Sequence, residues 1–194
     1  MGVILDILGS FIIRAAIVVV ILNLMITLHQ SLSKNTDRIN LNESINNAAK
    51  IITSDVKLAG FRTSKAFNTT LSNELNFYAD TNNTGTSHTI RYYINPTTPA
   101  TVHKILYRKV DSSTPLEIAR DILSFNVLYY KVDGVATTLA SDSLNVKSVY
   151  VTLVMESNDT ENEFYGTSPG KYSTGLNTTK LQVKWERQFF PENL

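Results

Sequence analysis

The sequence predicts an α+β protein: a long N-terminal α-helix, apolar in its first half and amphipathic in its second, packed on a C-terminal antiparallel β-sheet head. Three observations carry that expectation. From Val3 to Leu28 the chain is almost wholly apolar (VILDILGSFIIRAAIVVVILNLMITL). From Gln30 to Ala59 it turns polar but keeps one apolar stripe, Leu41, Ile45, Ala48, Ala49, Ile52, Val56 and Ala59, at the three- and four-residue steps of one helix face. Beyond Phe61, short alternating segments rich in Tyr, Val, Ile and Thr are separated by turn residues.

Between Gly9 and Gly60 there is neither Gly nor Pro, so nothing obliges the backbone to break. One continuous helix over this stretch would be roughly 85–90 Å long at 1.5 Å per residue. The expected division is residues 1–29 as an apolar membrane or core half, 30–60 as an amphipathic half packed on the head, and 61–194 as the β-rich head. The 194 residues are 43% hydrophobic with a formal net charge of +1, which gives no reason to expect nucleic acid as a partner. With no cysteine there is no disulfide framework and no thiolate metal site or nucleophile.

The apolar run is long enough to cross a bilayer, which takes about 20 residues. Two charges mark it: Asp6 near the start and Arg14 inside. Each would cost about 2.5–3.5 kcal/mol at a bilayer centre. The clean run Ala15–Leu28 is short on its own, so Arg14 belongs near a lipid–water boundary and His29 marks the other. Three readings stand: a secretory signal peptide, a plain membrane anchor, and a helix that leaves the membrane to pack against copies of itself. The third is preferred because of the charges. Asp6 and Arg14 are eight residues apart, about 12 Å along a helix, too far to touch within one chain. An axially displaced neighbour would bring Asp6 of one subunit to Arg14, or to the N-terminal amine, of the next.

An apolar helix with one acidic residue near its start, leading into an amphipathic half and a β-rich head, resembles the type IV pilin and pseudopilin superfamily. The family's acidic residue is a glutamate; Asp6 stands in that place here. Ile52-x-x-Asp55-Val56-Lys57-Leu58-Ala59-Gly60-Phe61 is similar to the helix end of PilW-type minor pilins and GspJ-type pseudopilins. Physically, Gly60 can take the left-handed conformation that ends a helix, Phe61 can fold back on the last turn, and Lys57 suits the negative helix end.

Downstream, Arg62–Asn73 reads as loop, Leu75–Tyr78 as a short strand, and Asp80–Ser87 as a turn. Thr89–Ile94 and Val102–Val110 read as two strands joined through Pro96 and Pro99. Thr114 and Pro115 look like the cap and first position of a short helix, Leu116–Leu123, with Leu116, Ala119, Ile122 and Leu123 inward. Phe125–Val132 follows as a strand, closed by the Asp133-Gly134 turn. Both TIRYYINP…KILYRKV and IARDILSFNVLYYKVDG resemble the hairpin and the helix–strand–turn of the PilW type. Ser148–Ser157 is the clearest strand, with Val149, Val151, Leu153 and Met155 on one face. Asn158–Thr179 is a polar loop, and Lys180–Phe190 the closing strand, with Leu181, Val183 and Trp185 on one face.

Little else points to chemistry. His29, His88 and His103 are scattered, without ligand or catalytic spacing. The acidic loop at Glu156, Asp159, Glu161 and Glu163 fits no EF-hand template and reads as solvated surface. Tyr92, Tyr93, Tyr107, Tyr129, Tyr130, Tyr150 and Trp185 read as core and cross-strand packing. Sequons at Asn42, Asn68, Asn82, Asn158 and Asn177 are what an Asn- and Thr-rich chain produces by chance. No catalytic residues, metal ligands or cofactor are expected, and the chain is not read as an enzyme. The resemblance implies a structural subunit of a type IV pilus-like filament, with copies of itself and other pilin-like subunits as partners. It would reside in the inner membrane before assembly and in an extracellular filament at the cell surface afterwards. The assembly residues would be Asp6 and Arg14, and Gly60 and Phe61 would set the helix end and its packing on the head. The alternatives are a type II secretion pseudopilin and a single-pass membrane-anchored extracytoplasmic binding module.

Overall fold

The computed structural model describes residues 2–63, 65–68, 71–81, 83–95, 104–137, 140–157 and 180–191; side chains are described from residue 9 onward, except at 140–142. Among the described residues one helix, α1 (Gly2–Lys57), is followed by seven strands: β1 (Glu74–Ala79), β2 (His88–Ile94), β3 (Lys104–Val110), β4 (Leu116–Lys131), β5 (Ala136–Thr137), β6 (Val146–Glu156) and β7 (Gln182–Phe189). A 3-10 turn, Ala140–Asn145, precedes β6. The chain divides into two compact units, Met1–Asn40 and Leu41–Leu194. The first is helix alone. The second holds the last turns of α1 and the whole sheet, so the α+β expectation of a long N-terminal helix packed on an antiparallel sheet agrees with the structure.

The helix stripe explains the packing. Ile52, Val56, Ala48 and Ala59 are fully buried and Leu41, Ile45 and Ala49 nearly so. All of these but Ala49 share one core with the inward residues of the sheet, including Phe77, Ile90, Leu106, Val127, Val151 and Leu153. All seven stripe positions read from the sequence are therefore buried, six of them in the core shared with the sheet.

The sheet is antiparallel, in the order β1-β2-β3-β4-β6-β7, with β5 paired to β4. Its β6 face follows strict alternation: Val149, Val151, Leu153 and Met155 are buried. The Asp133-Gly134 turn closes β4 onto β5, with Gly134 at φ 76 and its N–H donated to the Lys131 carbonyl at 3.0 Å. Segment Ala66–Asn68 covers the outer edge of β1: the Tyr78 N–H reaches the Ala66 carbonyl at 2.7 Å and the Asn68 N–H the Asn76 carbonyl at 3.0 Å. The approach to β1 also meets β4 across two intervening strands. The Val127 N–H donates to the Ser72 carbonyl and the Tyr129 hydroxyl to the Glu74 carbonyl, both at 2.7 Å. The sheet thus curls around its core.

One expectation is overturned. Leu116–Leu123 is not a short helix but the start of the 16-residue strand β4. Ala119 and Ile122 are buried, but Leu116 and Leu123 are 59% and 44% exposed. The cause lies in irregular pairing. Register shifts fall at Lys104/Leu106 and Leu106/Tyr107 against β3 and at Ile122/Ser124 against β6, and Asp121 sits at φ 59. Bulges of this kind reset the alternation. The buried positions Ala119, Ile122 and Phe125 consequently fall three apart, which imitates a helix, before Val127 and Tyr129 resume the two-residue step. Strand β5 carries too short a pattern to be read from sequence.

Candidate functional site

The first unit carries a surface unlike any other part of the described chain. Phe11, Ile13, Val20, Leu24 and Met25 are each at least 60% exposed, and no apolar side chain from Phe11 to Leu28 is buried. The helix here is long and apolar enough to cross a membrane. Arg14 lies exposed within it, with no ion pair or hydrogen bond to a described residue. Asp6 belongs to α1, but its side chain lies outside the described residues, so their eight-residue separation is all that can be compared. Thr27 Oγ1 satisfies itself by donating to the Asn23 carbonyl at 2.9 Å, and Thr36 does the same to Leu32 at 3.0 Å.

The helix ends where the sequence places its glycine. Lys57 is the last helical residue, and Gly60 takes φ 80, a left-handed conformation that costs a residue with a Cβ about 1–2 kcal/mol. The ending is stitched to β1. The Gly60 N–H donates to the Tyr78 carbonyl at 2.8 Å, and the Asp80 N–H to the Phe61 carbonyl at 3.1 Å. Phe61 also turns back through its N–H to the Leu58 carbonyl at 2.9 Å. Its ring is partly buried, with the Arg62 guanidinium 5.3 Å from the centroid. Buried Asp80 takes the Thr84 and Gly85 N–H groups at 3.1 and 2.7 Å, which orders the following turn.

A polar clamp joins this end of the helix to the sheet. Asp55 Oδ2 accepts from the Tyr92 hydroxyl at 2.5 Å and from Arg108 Nε at 2.6 Å. One helix carboxylate therefore holds two neighbouring strands, since β2 and β3 are paired. Tyr92 is fully buried, and burial, reinforced by the Asp55 charge, pushes its hydroxyl well above the usual tyrosine range. The hydroxyl is accordingly a permanent donor. The sequence did carry a signal for this clamp. Arg108 alternates in phase with Leu106 on a strand, so its stem shares the inward face and its half-buried charge calls for an acid. Asp55, flanked by Ile52, Val56 and Ala59, is the acid at hand.

Smaller polar clusters lie on the sheet. Glu74, 6% exposed, takes Arg91 at 2.6 Å and the Asn76 amide at 2.9 Å. Arg91 covers the Tyr93 ring at 4.5 Å, and Tyr93 stacks on Tyr107 at 5.9 Å. His88 Nδ1 lies 2.7 Å from Asp111 Oδ2 across the β2–β3 end, a pairing invisible at 23 residues' separation. Of the acidic loop, Glu156 pairs with Lys180 at 3.3 Å, while Asp159, Glu161 and Glu163 lie outside the described residues, as does His103. Among the described residues no three His, Asp or Glu side chains come together as metal ligands.

No protein-family model matches the chain, and no curated protein matches its sequence. Among solved structures it is similar to a type IV-like pilin from Thermus thermophilus, with 13% identity, 79% of this chain and 98% of that chain covered, and a TM-score of 0.46. Likeness at that level assigns this chain neither a family nor a function.

Proposed function

We propose that this chain is a structural subunit of an extracellular filament of the type IV pilus kind. The observation that carries the reading is the exposure of the apolar helix face from Phe11 to Leu28 on a chain whose other apolar stripe is fully used by its own head. A surface that apolar needs a host, and copies of itself supply one in water as lipid does in a membrane. The subunit waits in the inner membrane through its apolar helix and leaves it when assembly buries the same surface. The heads form the outer layer. Asp6 of one subunit pairs with Arg14, or with the N-terminal amine, of the next, and so sets the axial stagger. Gly60 and Phe61 hold the helix end on the head. The motif resemblance to PilW-type minor pilins supports the minor-subunit form of this reading.

Electron microscopy of sheared surface fractions tests it directly: filaments containing this chain are expected. Asp6→Ala or Arg14→Ala should each reduce filament yield severalfold, and the exchange Asp6→Arg with Arg14→Asp should restore it. A chain that stays permanently in bilayers, absent from any filament, overturns the reading.

A further inference from the structure

From Gly9, alternate steps of four and three residues along α1 reach Ile13, Ala16, Val20, Asn23 and Thr27. That is the seven-residue repeat of two helices wound left-handed around each other. The stripe collects features that no other face of this stretch combines. Gly9 and Ala16 are small enough for close approach of two backbones, and a Cβ added at Gly9 would meet nothing within 4 Å. Among the described residues nothing therefore requires glycine there. A shallow apolar groove runs beside Ala16, lined by Ile13, Ile17, Val20 and Ile21.

Asn23 is the only amide side chain between Gly9 and Leu28. It lies nine residues beyond Arg14 and six before His29, about 13 Å and 9 Å along the axis, deep in the apolar run. Its carbonyl takes the Thr27 hydroxyl, but its side-chain amide has no partner among the described residues. In hydrocarbon an unpaired amide is costly. The amide is self-complementary, a donor and an acceptor on one group. Copies inserted by the same route are parallel, so identical residues meet at identical depth in a symmetric pair.

We infer that, before assembly, two copies of this chain associate in the membrane as a parallel, in-register helix pair along the Gly9–Ala16–Asn23 face, with the two Asn23 amides hydrogen-bonded to each other. The inference rests on the membrane residence proposed above but is distinct from the filament. Filament neighbours are axially displaced, whereas this pair places each residue beside its own copy. The pair is thus a storage form that assembly must separate.

The absence of native cysteine makes the test clean. Full-length chains with single substitutions Ile13→Cys, Ala16→Cys or Val20→Cys, in phosphatidylcholine vesicles, should form same-residue disulfide dimers on mild oxidation. Phe11→Cys, Val18→Cys and Met25→Cys, on the opposite face, should not. Adding Asn23→Val to Ala16→Cys should lower the dimer yield about threefold to tenfold, with unchanged thermal melting of the head as the control for folding. Equal cross-linking on both faces, no cross-linking, or indifference to Asn23→Val overturns the pair. Filaments without the pair would refute this inference alone, and the pair without filaments would refute only the filament reading.

Discussion

Two stretches of one helix behave in opposite ways. Residues 11–28 are the most apolar part of the chain and bury none of their apolar side chains, whereas residues 41–57 are far more polar and bury a complete stripe. Hydrophobicity alone thus fails to say what a segment packs against. Periodicity does. The 41–57 segment concentrates its apolar residues on one face, as a helix with a single partner should. The 11–28 segment is apolar all round, as a helix surrounded by lipid or by other helices should be. The contrast separates a surface made for this chain from one made for its surroundings.

The sharpest way to break that comparison is to place the same charge in each stretch. Ile52→Asp puts an unpaired carboxylate into the fully buried core and should cost more than about 4 kcal/mol, abolishing a cooperative melt of the head. Val18→Asp, at a position 55% exposed, should leave the head's melting temperature unchanged while weakening membrane insertion by about 2.5–3.5 kcal/mol. Differential scanning calorimetry and flotation with vesicles read the two effects separately. If Val18→Asp destabilised the head as much as Ile52→Asp, the division between the stretches would be lost.

A smaller effect sharpens what holds the second stretch in place. Asp55→Ala strands the Tyr92 hydroxyl and the Arg108 guanidinium, which is 22% exposed and so partly hydrated. A loss of about 2–3 kcal/mol in urea denaturation is expected, and Asp55→Ala combined with Arg108→Met should recover part of it. A change below about 0.5 kcal/mol would mean that the apolar stripe alone positions the helix.

The smallest effect is in alkali. Burial, then the Asp55 charge, raises the Tyr92 hydroxyl; burial likewise raises that of Tyr129. Both are held neutral in the folded state, while their unfolded counterparts ionise near 10.0. Their contribution is complete below pH 10 and is lost as pH climbs above it. Tyr92→Phe should therefore shrink the alkaline loss of stability, while near neutral pH it costs about 0.5–1.5 kcal/mol, independent of pH there, through the lost hydrogen bond to Asp55. In phenolate absorbance, two of the nine tyrosines should ionise only as the head unfolds.

Much of this architecture could be read from residue order, because most elements obey one period each. The helix stripe and the alternation of β6 are local patterns. Strand β4 broke the reading because bulges around Asp121 set successive buried positions three residues apart before the two-residue step resumes, and no single period describes it. The clamp was hidden for another reason. Asp55 is 37 residues from Tyr92 and 53 from Arg108, so only the pairing of β2 with β3 brings its partners together. The inward phase of Arg108 hinted that an acid was needed, but the fold had to name it. Arg14 was legible as a single charge within an apolar run.

The Asp55 clamp also has a mechanical meaning. Apolar contact between helix and sheet is non-directional and resists axial slippage weakly, whereas a carboxylate shared by two strands is a pin of fixed position. Tension drawn along α1 would cross the buried stripe from Leu41 to Ile52 and then meet that pin, which splits it between β2 and β3 upstream of the Gly60 bend. Under such a load Asp55 is the directional contact that fixes the helix on both strands, which makes this one side chain the shear bolt of the head.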